Sequence, residues 1–217
     1  MSLLRFERIT RIIILLVMAA ELLALFANQR WLHAGLVTAL LVLVGLPLTR
    51  LFDRVATVPL EVQFFFTLFI FATLFLGEVH DFYNRIWWWD LALHLAAGFL
   101  LGLLGFLLVY LLNEADGVNF HMRPSFIALF AFLFAVALGA LWEIFEFAMD
   151  QIFGTMMQKP MFEDPSGLTD TMWDLIVDSL GALTAVLVGW IYIKRAKRRG
   201  TDHWLKRFVA RHPRLFS

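Results

Sequence analysis

Asp90 and His94, four residues apart, are the first of the residues in this chain whose types and spacing can do chemistry. Glu143, Glu146 and Asp150 follow at intervals of three and four, and Asp170, Asp174 and Asp178 at intervals of four. Residues three or four apart share one face of a helix, so each group forms a polar stripe wherever its stretch is helical. Carboxylates with a single imidazole suit a hard or borderline divalent ion such as Mg, Mn, Fe or Zn, and two-metal sites in helix bundles use inward-pointing Glu and His of this kind. His94, Glu143, Glu146, Asp174 and Asp178 are therefore the expected metal ligands. Asp90 and Asp170 lie nearer the surface, as ligands, supports for ligands or substrate contacts, and Asp170 is the expected general base. Asp150 and Glu21 are weaker members of the set.

Plainer roles exist for some of these residues. An Asp at a helix amino end is commonly a cap, and Asp90 and Asp170 both sit where a cap would. His94, taken alone, has a second reading as a satisfied interior histidine. Glu143 with Glu146, and Asp174 with Asp178, have no comparable reading if their helices lie in a membrane.

Composition says that they do. Hydrophobic residues make up 61% of the 217 positions and the mean hydropathy is +0.76, whereas soluble domains are about 45–50% apolar. A hydrocarbon layer roughly 30 Å thick demands about 20 mostly apolar residues per helix. Six such segments are expected, at residues 9–27, 31–48, 60–77, 88–112, 125–149 and 171–193. Pro47 and Pro124 fit helix termini. Residues 49–59 read as a short amphipathic link at the interface. Glu21, in the middle of the first segment, argues for a retained helix rather than a cleaved signal. The expected architecture is an all-α, polytopic transmembrane bundle of about six helices. It forms a single transmembrane domain over residues 1–193 with a basic cytoplasmic tail over 194–217, and without internal repeats. With these ends, Glu143 and Asp178 lie roughly 10 Å below their helix termini. Ionisable groups at such depth normally face the bundle interior and point to function.

Charge distribution orients the bundle. If the amino terminus is cytoplasmic, only Arg30, Arg85 and Lys159 fall outside, leaving 15 of the 18 Lys and Arg on the inner side; both termini are then expected in the cytoplasm. The acids show the opposite bias. Glu7, Asp53, Glu61, Glu114, Asp116 and Asp202 are inner, so 12 of the 18 lie toward the outside. The three acidic stripes all fall at outer helix ends, with almost no basic partner. Trp31, Trp87, Trp88, Trp89 and Trp173 read as an outer interfacial belt and Trp190 as an inner anchor, while Trp142 stands beside Glu143 as a pocket wall. Gly98, Gly102, Gly105 and Gly181 permit close helix approach. The absence of cysteine excludes disulfides, thiolate metal sites, iron–sulfur ligation and cysteine nucleophiles.

The runs WDLALHLAAGF, LWEIFEF and GLTDTMWDLIVDSLGA resemble the pattern of the YjdF-type bacterial inner-membrane proteins, a family of unknown function. The resemblance covers about residues 80–185 and rests on Asp170, Thr171 and Asp174, on Glu143 and Glu146, and on His94 and Gly98. MMQKPMFEDPSG departs from it, standing where a shorter Gly-rich connection is expected. The resemblance implies a multi-pass protein of the bacterial inner membrane and no particular activity.

Two classes of function compete. The first is a metal-dependent enzyme acting at the outer leaflet on a lipid or lipid-linked substrate by hydrolysis or phosphoryl transfer. His-Glu-x-x-His and Gly-x-Ser-x-Gly are absent, and intramembrane histidines are too few for a desaturase. The Asp ladder of the sixth segment is faintly similar to that of phospholipid-synthesising phosphotransferases, but their Asp-Gly-Ala-Arg signature is missing. The second class is a proton- or metal-ion-coupled transporter, against which stands the lack of matching polar residues in the inner halves of these helices. A structural subunit of a membrane assembly would leave the buried acids unexplained. Membrane lipids are the expected partners, and no nucleic acid is.

Overall fold

A computed structural model describes residues 3–46, 60–114 and 122–199, and every regular element among them is helical. The helices are α1 (Leu3–Ala27), α2 (Trp31–Gly45), α3 (Leu60–Ile70), α4 (Phe82–Arg85), α5 (Trp89–Glu114), α6 (Pro124–Phe153) and α7 (Leu168–Arg199). α3 continues into a π-helical segment, Phe71–Val79. All six expected apolar segments are present as helices. Four are long and apolar enough to cross a membrane: Arg5–Ala27, Trp89–Val109, Pro124–Phe153 and Leu168–Tyr192. Two are shorter, Trp31–Gly45 and Gln63–Val79; at 1.5 Å per residue the first covers only about 22 Å of a layer of roughly 30 Å. Pro47, the amphipathic link over residues 49–59 and the tail beyond residue 199 lie outside the described residues.

The last two helices run further than hydropathy alone marks. Pro124 occupies the first turn of α6 as expected, where its missing N–H is no loss. The other end holds until Gly154 turns left-handed at φ 64° and donates its N–H to the Asp150 carbonyl. α7 begins three residues before the expected start and carries the first bases of the tail, Lys194 and Arg195, on the same helix.

Contacts divide the chain into two compact units, one ending at Trp89 and the other beginning at Asp90. In the first, Ile14, Met18 and Leu25 of α1 pack with Ala34, Val37, Leu40 and Val44 of α2 and with Phe75 and Val79 of the π-helical segment. Buried among them is a charged pair. Arg11 donates to the Glu7 carboxylate one turn earlier, and its Nη1 reaches the Val44 carbonyl at 3.3 Å near the end of α2, where carbonyls lack intrahelical partners.

In the second unit, α5, α6 and α7 meet through small residues. Between helices already in lipid, close packing must replace the hydrophobic effect as the adhesive. An alanine methyl at Gly98 would lie 2.1 Å from the Asp178 carbonyl oxygen, and one at Gly181 would lie 2.2 Å from that of Leu95, so α5 and α7 touch backbone to backbone. Further along, Phe106, Val109, Ile127, Ala131 and Val186 form an apolar cluster. The faces of α6 and α7 turned away from this core expose Leu141, Ile144, Phe147, Leu180 and Val188, as lipid contact requires. Trp31, Trp87, Trp88 and Trp173 are exposed; Trp89 is half-buried and packs edge-on against Phe82 instead.

Candidate metal centre

His94 projects from the first turns of α5 into a ring of carboxylates supplied by all three helices of the second unit. Its Nε2 lies 3.7 Å from Asp90 Oδ1 and 3.9 Å from Asp174 Oδ2. Its Nδ1 lies 3.4 Å from Asp178 Oδ2 and 3.9 Å from Glu143 Oε1. Two carboxylates thus attend each ring nitrogen. Asp174 is fully buried, and Glu143 and Asp178 are nearly so. The depth is greater than the sequence suggested: ten residues separate Asp178 from the start of α7 and Glu143 from the end of α6, about 15 Å of helix in each case.

These groups are poorly satisfied. Both oxygens of Glu143, both of Asp174 and Oδ1 of Asp178 are buried without a hydrogen-bond partner. Among the described residues no lysine or arginine pairs with any of the three. An isolated buried carboxylate is costly in low dielectric, and several sharing one pocket compound that cost. Such a cluster needs protonation or a compensating cation. The Nε2 side has the spacing for one: a ligand atom each from Asp90, His94 and Asp174 lie within 4.8 Å of one another. On the Nδ1 side, Asp178 is close enough to hold the imidazole in one orientation, as carboxylates behind metal-binding histidines do.

The remaining expected residues fall around this core in different roles. Glu146 is buried and accepts a hydrogen bond from Trp142 Nε1 at 2.8 Å. Trp142 is half exposed on the outer face of α6, so it anchors an acid of the site instead of walling a pocket. Asp170 is almost fully buried; Oδ2 accepts the Lys159 N–H at 2.7 Å, whereas Oδ1 has no partner. Neither Asp90 nor Asp170 occupies the cap position, since both lie inside the first turn of their helices. Asp164 does the capping of α7, accepting the N–H and hydroxyl of both Ser166 and Thr169. Those four bonds hold its carboxyl well below the usual carboxylate range. Asp150 looked like the last member of the α6 stripe. Its two oxygens instead accept from the Thr155 hydroxyl and from the backbone N–H groups of Met157 and Gln158. Glu21 belongs to the first unit, where it is half-buried.

Gly139 is a residue of the site that the sequence reading did not single out. It precedes Glu143 by one turn on the same face of α6, and a methyl there would lie 2.6 Å from Asp178 Oδ2. Glycine at this position makes room for the carboxylate.

The model of a family described as "Predicted membrane protein (DUF2238)" matches residues 8–195. The chain belongs to that family. The match is consistent with the family of unknown function expected from the motifs, and it reaches beyond residues 80–185 to take in the amino-terminal helices as well. A Thermotoga maritima protein named "Uncharacterized protein" is 33% identical over 129 residues, 59% of this chain and 60% of that relative. No solved structure matches. The protein is thus a multi-pass, all-α membrane protein, and its buried Asp and His cluster is the feature on which a reading of its function has to rest.

Proposed function

We propose that the second unit binds a divalent metal ion at Asp90, His94 and Asp174 and uses it as a membrane enzyme on a lipid or lipid-linked substrate, by hydrolysis or phosphoryl transfer. The observation that carries this reading is Asp174: it is fully buried, both its oxygens are unpartnered, and one lies near His94 Nε2. Three oxygen or nitrogen donors of this mixture suit Mg, Mn, Fe or Zn. Bound there, the ion supplies Lewis-acid polarisation of a phosphoryl or acyl oxygen. The chain's own residues do the rest. Asp178 orients the imidazole through Nδ1, Trp142 fixes one oxygen of Glu146, and the unpartnered Oδ1 of Asp170 is placed to take a proton from an attacking water. Glu143 and Glu146 supply further negative charge to retain the ion. The distribution of Lys and Arg supports a centre in the outer half of the membrane with both termini in the cytoplasm, and the resemblance of the motifs supports a bacterial inner membrane.

Metal analysis of the protein purified in mild detergent tests this. Wild type should carry metal in stoichiometric amount, and Asp174→Asn and His94→Ala should lose it; chelation should lower the thermal midpoint of wild type but not of the variants. A wild-type protein that is metal-free and binds none on titration overturns the reading. Proton-coupled transport is then favoured, supported by the carboxylates on both sides of the His94 ring.

A further inference from the structure

The connection between α6 and α7, residues 154–167, carries exposed Glu163 and Ser166 together with an apolar surface it shares with the adjoining helix ends. Five large apolar side chains on it and its flanks are turned outward: Ile152 is 71% exposed, Phe153 69%, Met156 70%, Phe162 68% and Leu168 63%. Apolar exposure of this extent on a short segment marks an interaction surface. The patch is continuous with the lipid-facing surface of the helices beside it. Phe162 meets the ring of Trp173 on α7, which is itself exposed together with Met172 and Ile176. α6 is 30 residues long, about 45 Å, and so overshoots a hydrocarbon layer of roughly 30 Å into the headgroup region.

Part of the backbone of the connection is satisfied within the protein. Irregular backbone near the membrane core is tolerated only where its polar groups find partners within the protein. Met157 and Gln158 donate to Asp150, Lys159 to Asp170, and Ser166 and Thr169 to Asp164. The N–H of Asp164 goes to the Met161 carbonyl. Pro160 and Pro165 have no N–H to satisfy. Three carboxylates thus tie down part of the backbone, and Met156 and Phe162 stay exposed.

We infer that this connection is seated among the headgroups and upper acyl chains of the bilayer, with Met156 and Phe162 inserted into lipid. Lipid is the occupant because the exposed apolar residues of the connection adjoin those of α6 and α7. Asp170 binds the connection through one oxygen at its own helix start, which ties it to the carboxylate centre. The seating follows from the membrane-spanning helices and not from the metal, and the two readings fail separately.

The absence of cysteine allows a direct test. Single variants Met156→Cys, Phe162→Cys and Pro165→Cys of the full chain are labelled with a nitroxide, reconstituted into phosphatidylethanolamine–phosphatidylglycerol vesicles, and examined by power-saturation electron paramagnetic resonance. Oxygen, which partitions into lipid, should relax the labels at 156 and 162 several-fold more than a water-soluble nickel chelate does, with the preference reversed at 165. Nickel dominating at both 156 and 162 would overturn the inference by placing the connection in water. Spin–spin broadening between chains at those positions would overturn it in favour of a second copy as the occupant. Met156 carries the test independently of Phe162, whose φ of 49° makes substitution there riskier for folding.

Discussion

Both units bury charge inside apolar helices, and they treat it in opposite ways. In the first, Glu7 and Arg11 lie one turn apart on α1 and neutralise each other, and Arg11 Nη1 reaches a carbonyl of α2. In the second, Glu143, Asp174 and Asp178 surround a single imidazole with five carboxylate oxygens unpartnered. A closed pair is what a structural charge looks like after folding has satisfied it. An open set of like charges persists only where protonation or a bound cation compensates it, and this contrast separates the scaffold from the site more sharply than burial does.

The largest effect should come from breaking the closed pair. Arg11→Ala leaves Glu7 buried without a counter-charge, a loss of about 3 kcal/mol or more by analogy with other buried pairs, read as a fall in the thermal midpoint in detergent. Asp174→Asn should do the reverse in metal-free protein, leaving the midpoint unchanged or higher, because it removes one of several like charges that share a single imidazole. If Asp174→Asn destabilises the metal-free protein as Arg11→Ala does, the contrast between the units collapses.

A smaller effect should separate two glycines that both press on Asp178. At Gly98 an alanine methyl meets backbone, so the helices themselves must part, at a cost of roughly 1–3 kcal/mol for overpacking. At Gly139 it meets the carboxylate tip, which can rotate away. Gly139→Ala should therefore fold nearly as well as wild type while binding metal about 10–100-fold more weakly, as isothermal titration would show. Equal loss of stability in the two variants would mean that Gly139 is packing alone.

The smallest effect concerns the connection outside the membrane helices. Asp164 titrates below its ordinary value of 3.8 because four hydrogen bonds favour its charged form. A depressed folded-state pKa contributes order that is fully present above the ordinary value and lost as pH falls below it toward the folded one. A nitroxide at residue 165 should accordingly stay immobile at neutral pH and loosen only in strong acid. Asp164→Asn should loosen it at every pH, and an unchanged line shape would remove Asp164 from the role of tie.

Much of the candidate site was legible because helical period converts spacing into a shared face. The stripe His94 with Asp90, the pair Glu143 and Glu146, and the ladder Asp170, Asp174, Asp178 could be aligned before any fold was known. Asp150 was not separable from its stripe by that rule. Its partners are amides of residues 157 and 158, which come within reach only because the chain turns sharply at Gly154. Gly139 was missed for a related reason: its value lies in a contact with α7, and nothing in the sequence of α6 announces a neighbour's carboxylate. The short helix α4 and the π-helical turn after α3 likewise arise from packing and leave no periodic trace.

The sequence by itself determined that this protein is all-α and lives in a membrane, since apolar runs of that length have no other stable solution, and it set which acids share which helical face. Only the tertiary structure decided how those faces are rotated toward one another. That rotation places Asp90 and Asp174 at one nitrogen of His94, and Asp178 and Glu143 at the other. It depends on the close backbone contacts at Gly98 and Gly181, because the helix spacing they permit decides which side chains reach the centre.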